Sequence, residues 1–310
     1  MAVETLEAPV WRARRDAHAA RVDAWVGPHL ARRQAGVRHP VEDFLFGYYA
    51  QRPAALRRWH PGYGVGLVDA EEYADVKGYG AVPTDRVAEP VETGRVVEPV
   101  ETTWAVTREH LLSHERLIRT LRTLLAATAS RPAQLGCFGM HEWAMVYRQP
   151  QDEVRHAAWP LRLGGAGTDA VVEGHRIACS HFDAFRFFTD QARPRNTLSP
   201  RSDDRADFEQ PGCLHAGMDL YKHAYRLTPL VPSELVADCF TLARDIRVLD
   251  MRASPYDLSG LGYAPVRVET TEGKQEYVAA QRAFAERGAP LRQRLLDACD
   301  GLLGAVHHRV

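Results

Sequence analysis

In the segment HAGMDLYKH, His215, Asp219 and His223 fall four residues apart, with Lys222 beside them. At about 100° per residue on a helix they form one polar stripe, and metal ligation, acid–base chemistry or plain solvation would each use such a stripe. Two further segments couple histidine to carboxylate: FGMHEWAMVYR (138–148) carries His141 and Glu142, and CSHFDAFRFFTD (179–190) carries His181 and Asp183. Should the three segments meet, these residues together with His215, Asp219 and Lys222 share one pocket. Phe138, Trp143, Phe185, Phe188 and Tyr221 would wall it, with Arg186 as a further substrate contact.

Two chemistries use this set. Helical bundles hold iron or manganese through inward-facing Glu and Glu-x-x-His pairs. The three segments lack that spacing, and the adjacent His141 and Glu142 point about 100° apart on a helix. His141, His181 and Asp219, with His215 as a further candidate, could still form a two-histidine, one-carboxylate iron site. The second chemistry is N-glycosidic cleavage without a cofactor. A buried Asp219 activates water and faces an oxocarbenium-like transition state, Glu142 supports it, Lys222 tunes the charge, and His141 and His181 serve as orienters or acids. Aromatic faces would hold a cationic leaving base. A non-catalytic binder would need the aromatics and arginines but not the carboxylates.

Each residue also has a plainer role. Asp183 follows Ser180 by three, the spacing of a capping box. Glu142 could pair with Arg148, His223 could sit at the solvent end of the stripe, and Phe182, Phe185, Phe187 and Phe188 could be core.

The elements that must position this set read as mainly α. The chain has 310 residues, 45% of them hydrophobic and 25% charged, ordinary values for a globular protein. Its 39 Lys and Arg against 40 Asp and Glu give a net charge of −1, so any nucleic-acid site is a local patch. Five scattered cysteines, never in a CxxC, fit a reducing cytoplasm rather than a disulfide framework. No run reaches the roughly 18 apolar residues of a membrane span.

A basic amphipathic helix is expected from Trp11 to Arg33, with a kink at Pro28, and two short helices between Pro40 and His60. Residues 1–60 hold 10 Arg against 6 acids. Residues 61–104 hold 9 acids against 3 basic residues and a duplication, EPVETGRVV then EPVETTWAV, which predicts a long acidic Pro/Gly-rich surface flap. Thr107 caps the next expected helix, with its stripe Leu111, Leu117, Ile118, Leu121, Leu124 and Leu125. A helical segment then follows Pro132, and the interval 150–176 leaves room for a small β-hairpin. Further helices are expected at 181–191, 214–227, 233–251, 274–287 and 290–303, the last two separated by Gly288 and Pro290. The expectation is a single helical domain over 1–310, with 105–310 as the main core carrying the site.

At LGCFGMHEWAMVYR, CSHFDAFRFFT, EQPGCLHAGMDLYKHAYRL and ARDIRVLDMRASPYDL the chain resembles an actinobacterial family labelled 3-methyladenine DNA glycosylase. The similarity extends to RHPVEDFLFGYY and RWHPGYGVGL near the start. HPGYGVGL (60–67) is also similar to the Pro-Gly hairpin of helix-hairpin-helix glycosylases. The family resemblance implies release of an alkylated purine from DNA, or action on a nucleobase-containing small molecule. Phosphate contacts would then fall to Arg12, Arg14, Arg15, Arg32, Arg33, Arg57 and Arg58, with flipping of the base into the site.

Overall fold

The computed structural model describes residues 4–82 and 102–308. Twelve α-helices dominate them. Those of the first half are α1 (Ala8–Gln34), α2 (Phe44–Tyr48), α3 (Pro53–Arg57), α4 (Arg108–Ser113), α5 (Glu115–Ala129) and α6 (Met140–Ala144). The rest are α7 (Gly164–Glu173), α8 (Phe182–Phe185), α9 (Arg205–Phe208), α10 (Leu214–Arg226), α11 (Ser233–Arg252) and α12 (Thr271–His307). Four short strands, β1 (Glu4–Leu6), β2 (Val65–Val68), β3 (Tyr79–Val82) and β4 (Thr103–Val106), form one sheet in the order β1-β2-β4-β3. The β1–β2 pair is parallel and the others are antiparallel. Among the described residues no helix is long and apolar enough to cross a membrane.

The centre of the molecule is α10, which packs on both α11 and α12, while α12 also covers α5. Every residue from Leu214 to Ala224 is buried except the half-buried Lys222, so the polar stripe of this helix faces protein rather than water. The α5 stripe behaves as its spacing predicts: Ile118, Leu121, Leu124 and Leu125 are buried, and the Thr107 hydroxyl accepts from the His110 N–H ahead of α4. One continuous apolar core runs from Trp11 on α1 to Leu302 on α12.

Four expectations are corrected. The proposed flap is partly structured, because VGLV, YGAV and TWAV pair as β2, β3 and β4, strands too short to show a clear two-residue period in the sequence. Most of the duplicated EPVET stretch, residues 83–101, lies outside the described residues. Since β2 occupies 65–68, HPGYGVGL leads into a strand and is not a helix-hairpin-helix turn. The interval 150–176 holds turns and α7 in place of a hairpin, tied to the core by an antiparallel bridge between Leu161 and Tyr256. Finally, α12 runs unbroken through Gly288 and Pro290. A proline removes one helical hydrogen bond and crowds the preceding turn, and packing of α12 on four other helices, α4, α5, α10 and α11, outweighs that loss.

Candidate functional site

Three elements bring the histidines together. Phe138 and Gly139 both adopt left-handed backbone, with φ of 45° and 68°, and this tight entry turns α6 so that His141 and Glu142 point inward. The first turn of α10 supplies His215 and its middle supplies Asp219, and the residue ahead of α8 is His181. α11 contributes Arg247 and Asp250, one turn apart and both buried.

The first centre is built on Asp250. His141 Nε2 lies 2.7 Å from Asp250 Oδ1, and Arg247 Nη1 donates to Asp250 Oδ2 at 2.7 Å and to Glu142 Oε1 at 3.0 Å. The Arg247 guanidinium also stacks on Phe44, 3.7 Å from the ring centroid. Candidate ligand atoms of His141, His215 and Asp250 all lie within 4.8 Å of one another. Burial favours a neutral Asp250 carboxyl, but the adjacent His141 and Arg247 charges hold it far below the usual carboxylate range. Burial and the Asp250 charge push Glu142 up. Burial, followed by the neighbouring His141, holds His215 well below the ordinary imidazole value, so it is neutral with a free lone pair. Among the described residues its ring makes only edge and tilted contacts, to His141 at 4.5 Å and to His181 at 5.4 Å between centroids.

The second centre is built on Asp219. Tyr49 donates to its Oδ1 at 3.0 Å, Arg205 donates to Oδ2 at 2.7 Å, and Lys222 bridges that same oxygen to Asp183, 2.8 Å away. Arg205 also binds Glu209. His181 is fully buried, 3.3 Å from Asp219 and 3.4 Å from Glu209, and neither ring nitrogen has a partner in hydrogen-bond geometry among the described residues. Burial would raise the Asp219 carboxyl, yet Lys222 holds it well below its ordinary value. Arg205 and Lys222 thus bridge the buried Asp219 and Glu209 and the half-buried Asp183, an arrangement that ties α8, α9 and α10 to one another.

A cavity of about 750 Å³ opens beside the first centre, with His141 and His215 in its wall. Of the other sequence-predicted residues only Phe138 lines it. Trp143 is core and donates from its ring N–H to the Ala253 carbonyl at 2.8 Å. Phe185 and Phe188 pack on each other, and Tyr221 packs on Phe240 and Tyr225. Arg186 stacks on Phe187 and sits 3.5 Å from Asp183. His141, Glu142, His181, Asp183, His215 and Asp219 do gather in one interior cluster, but Glu142, Asp183, Lys222 and Asp219 stay behind the cavity wall. Asp183 makes no capping bond for α8 and pairs with Lys222 instead. His223 is buried, not at a solvent end, and burial lowers it to about 3.

Cys137, Cys179 and Cys213 also line the cavity, and burial raises all three thiols, Cys179 to about 12, so none is a ready nucleophile. Of the arginines expected to meet phosphate, Arg14, Arg15, Arg32 and Arg57 bind Glu234, Glu72, Asp43 and Asp23, while Arg12 donates to the Asp69 carbonyl.

Sequence reasoning missed Asp250, Arg247, Arg205, Glu209 and Tyr49. The signal for the first two was legible, since DIRVLDM places Arg247 and Asp250 among Ile246, Leu249 and Met251 in a strongly apolar run. No family model, curated protein or solved structure matches this chain.

Proposed function

We propose that the protein is an enzyme with a single divalent metal of the iron or manganese class, held by His141, His215 and Asp250 and acting on a small molecule in the adjoining cavity. The observation that carries this reading is the convergence of two cavity-wall imidazoles and one fully buried carboxylate behind them, whose candidate ligand atoms all lie within 4.8 Å of one another. That donor set suits non-haem iron. Three features support it: His215 is neutral and makes no protein hydrogen bond among the described residues, Asp250 is ionised, and Arg247 fixes the carboxylate from behind. Bound there, such a metal would supply a Lewis acid and, with iron, a redox centre for oxygenase-like chemistry. The chain's own part is to orient Asp250 through Arg247 and Glu142, to hold the substrate against His141 and His215, and to limit water with the apolar walls.

One observation favours a second, hydrolytic reading. The 2.7 Å contact between His141 and Asp250 is also the arrangement of a carboxylate-oriented general base. It would serve the N-glycosidic hydrolase that the family resemblance implies, with His141 rather than Asp219 activating water. Elemental analysis of tag-free protein, as purified and after incubation with ferrous or manganous ion, tests the choice, with His215→Ala as control. Stoichiometric metal that disappears in His215→Ala supports the metal enzyme. Metal-free protein that releases 3-methyladenine from methylated DNA in the presence of chelator overturns it in favour of the hydrolase.

A further inference from the structure

We infer that the cavity binds a small organic oxyanion, a carboxylate or phosphate on an apolar body. This deepens the proposed function by naming its substrate class, and rests on that reading only for the chemistry that follows binding. Arg131, Arg176 and Lys274 stand in the cavity wall, and among the described residues no Asp or Glu does. The imbalance is local, because the whole chain carries a net charge of −1.

The wall cations are available. Arg176 is exposed and has neither hydrogen bond nor ion pair among the described residues. Lys274 is half-buried and makes no ion pair among the described residues, and its ammonium lies 5.7 Å from the centroid of Phe138. Arg131 uses Nη1 on the carbonyls of Ala127 and Glu209, at 3.0 and 3.2 Å, and a guanidinium has five donors. Beside Arg176, His175 directs its Nδ1 to the Val171 carbonyl at 2.6 Å, while its Nε2 is buried and without a partner among the described residues. With Nδ1 donating to a carbonyl, Nε2 of the neutral ring is an acceptor, suited to a hydroxyl on the ligand body rather than to its oxyanion.

The rest of the wall selects the body of the ligand. Phe138, Phe208, Ile177 and Leu198 give apolar surface, and about 750 Å³ falls within the range of small-molecule sites. An anion held at the mouth by Lys274 and Arg176 would extend its apolar part toward His141 and His215. Polymeric DNA fits less well, because four of the basic residues near the chain start already serve internal ion pairs.

Calorimetric titration of chelator-treated protein with phenyl phosphate, benzoate and benzyl alcohol tests the inference. Working without metal makes the result independent of the metal reading. We expect at least one of the two anions to bind, the neutral alcohol not to, and affinity to weaken as salt rises. Preference between phenyl phosphate and benzoate identifies the oxyanion. The variants Lys274→Ala and Arg176→Ala, at positions that carry no packed core, should each lose roughly tenfold in affinity, about one pair of charge-assisted hydrogen bonds. Equal binding of benzyl alcohol, no binding of either anion, or unchanged affinity in the double variant would overturn the proposal. So would tighter binding of a short DNA oligonucleotide through the same two cations.

Discussion

Arg247 and Asp250, one turn apart on α11, close the interior side of the site: Arg247 Nη1 donates to Asp250 Oδ2 at 2.7 Å and to Glu142 at 3.0 Å. The carboxylate behind the two cavity-wall imidazoles is therefore fixed by a cation that does not line the cavity. Removing a cavity-facing imidazole and removing this carboxylate should accordingly differ in their effects.

For that pair of positions, His215→Ala is expected to abolish metal retention with only a modest loss of stability, since its ring makes no hydrogen bond among the described residues. Asp250→Asn should abolish metal retention and also lower stability by ~3 kcal/mol, because it leaves Arg247 and His141 without their main counter-charge in the interior. Urea unfolding with metal analysis on the same samples decides this. Equal stability losses would show that the Arg247 pairing contributes little.

Asp219 is expected to act on folding rather than on chemistry. Asp219→Asn weakens the contacts of Arg205 and Lys222 together and should destabilise the protein by ~3 kcal/mol, the scale for breaking a buried ion pair. Ligand affinity in the cavity should stay within about twofold, less than 0.5 kcal/mol. A variant of wild-type stability that had lost activity would return Asp219 to the chemical role its sequence position first suggested.

Acid should destabilise the protein well above the carboxylate range. Burial, the largest influence on each, lowers His60 and His223 to about 3 and His156 to about 4. Their folded values lie below the unfolded imidazole value, so the unfolded chain binds more protons throughout the interval. Stability is then fully present above about pH 6.5 and is lost as pH falls toward 4, by about 1.4 kcal/mol per pH unit for each group. Denaturant midpoints measured from pH 7 to about 4.5 should show this slope, and His156→Gln should reduce it by about one proton. A flat profile over that range would show that these rings are solvated.

α12 offers a gain in stability. Pro290 is exposed inside an unbroken helix, and a Cβ at Gly288 would meet Leu242 and Leu220 at 3.6 and 3.7 Å, ordinary contact distances. Gly288→Ala should add about 0.5 to 1 kcal/mol and Pro290→Ala about 1 to 3 kcal/mol. Thermal unfolding measures both. A loss in Pro290→Ala would mean that the proline sets a bend the packing requires.

The legible part of this molecule was its periodicity and its chemistry-bearing residue types. The stripe of α5, the extent of α10 and α11, and the meeting of His141, His181, His215 and Asp219 all follow from spacing and from repeated coupling of histidine to carboxylate. Which side of the cluster faces open space did not follow. Asp219 and Glu142 have the same sequence surroundings whether an arginine or a substrate stands opposite, and Arg205 and Arg247 come from other elements. The strands escaped because three or four residues carry too little period, and the α12 continuity because local breaker rules weigh Gly288 and Pro290 without the helices packed around them.

Phe138 is where demands on the chain diverge. A non-glycine residue with φ of 45° strains the backbone by about 1 to 3 kcal/mol, and glycine or asparagine would relax it. Yet the ring forms part of the cavity wall and lies beneath Lys274. Laboratory evolution for heat tolerance alone should drift toward glycine or asparagine at this position, while evolution for ligand retention should restore an aromatic residue, so the amino acid found at 138 would report which pressure a population had experienced.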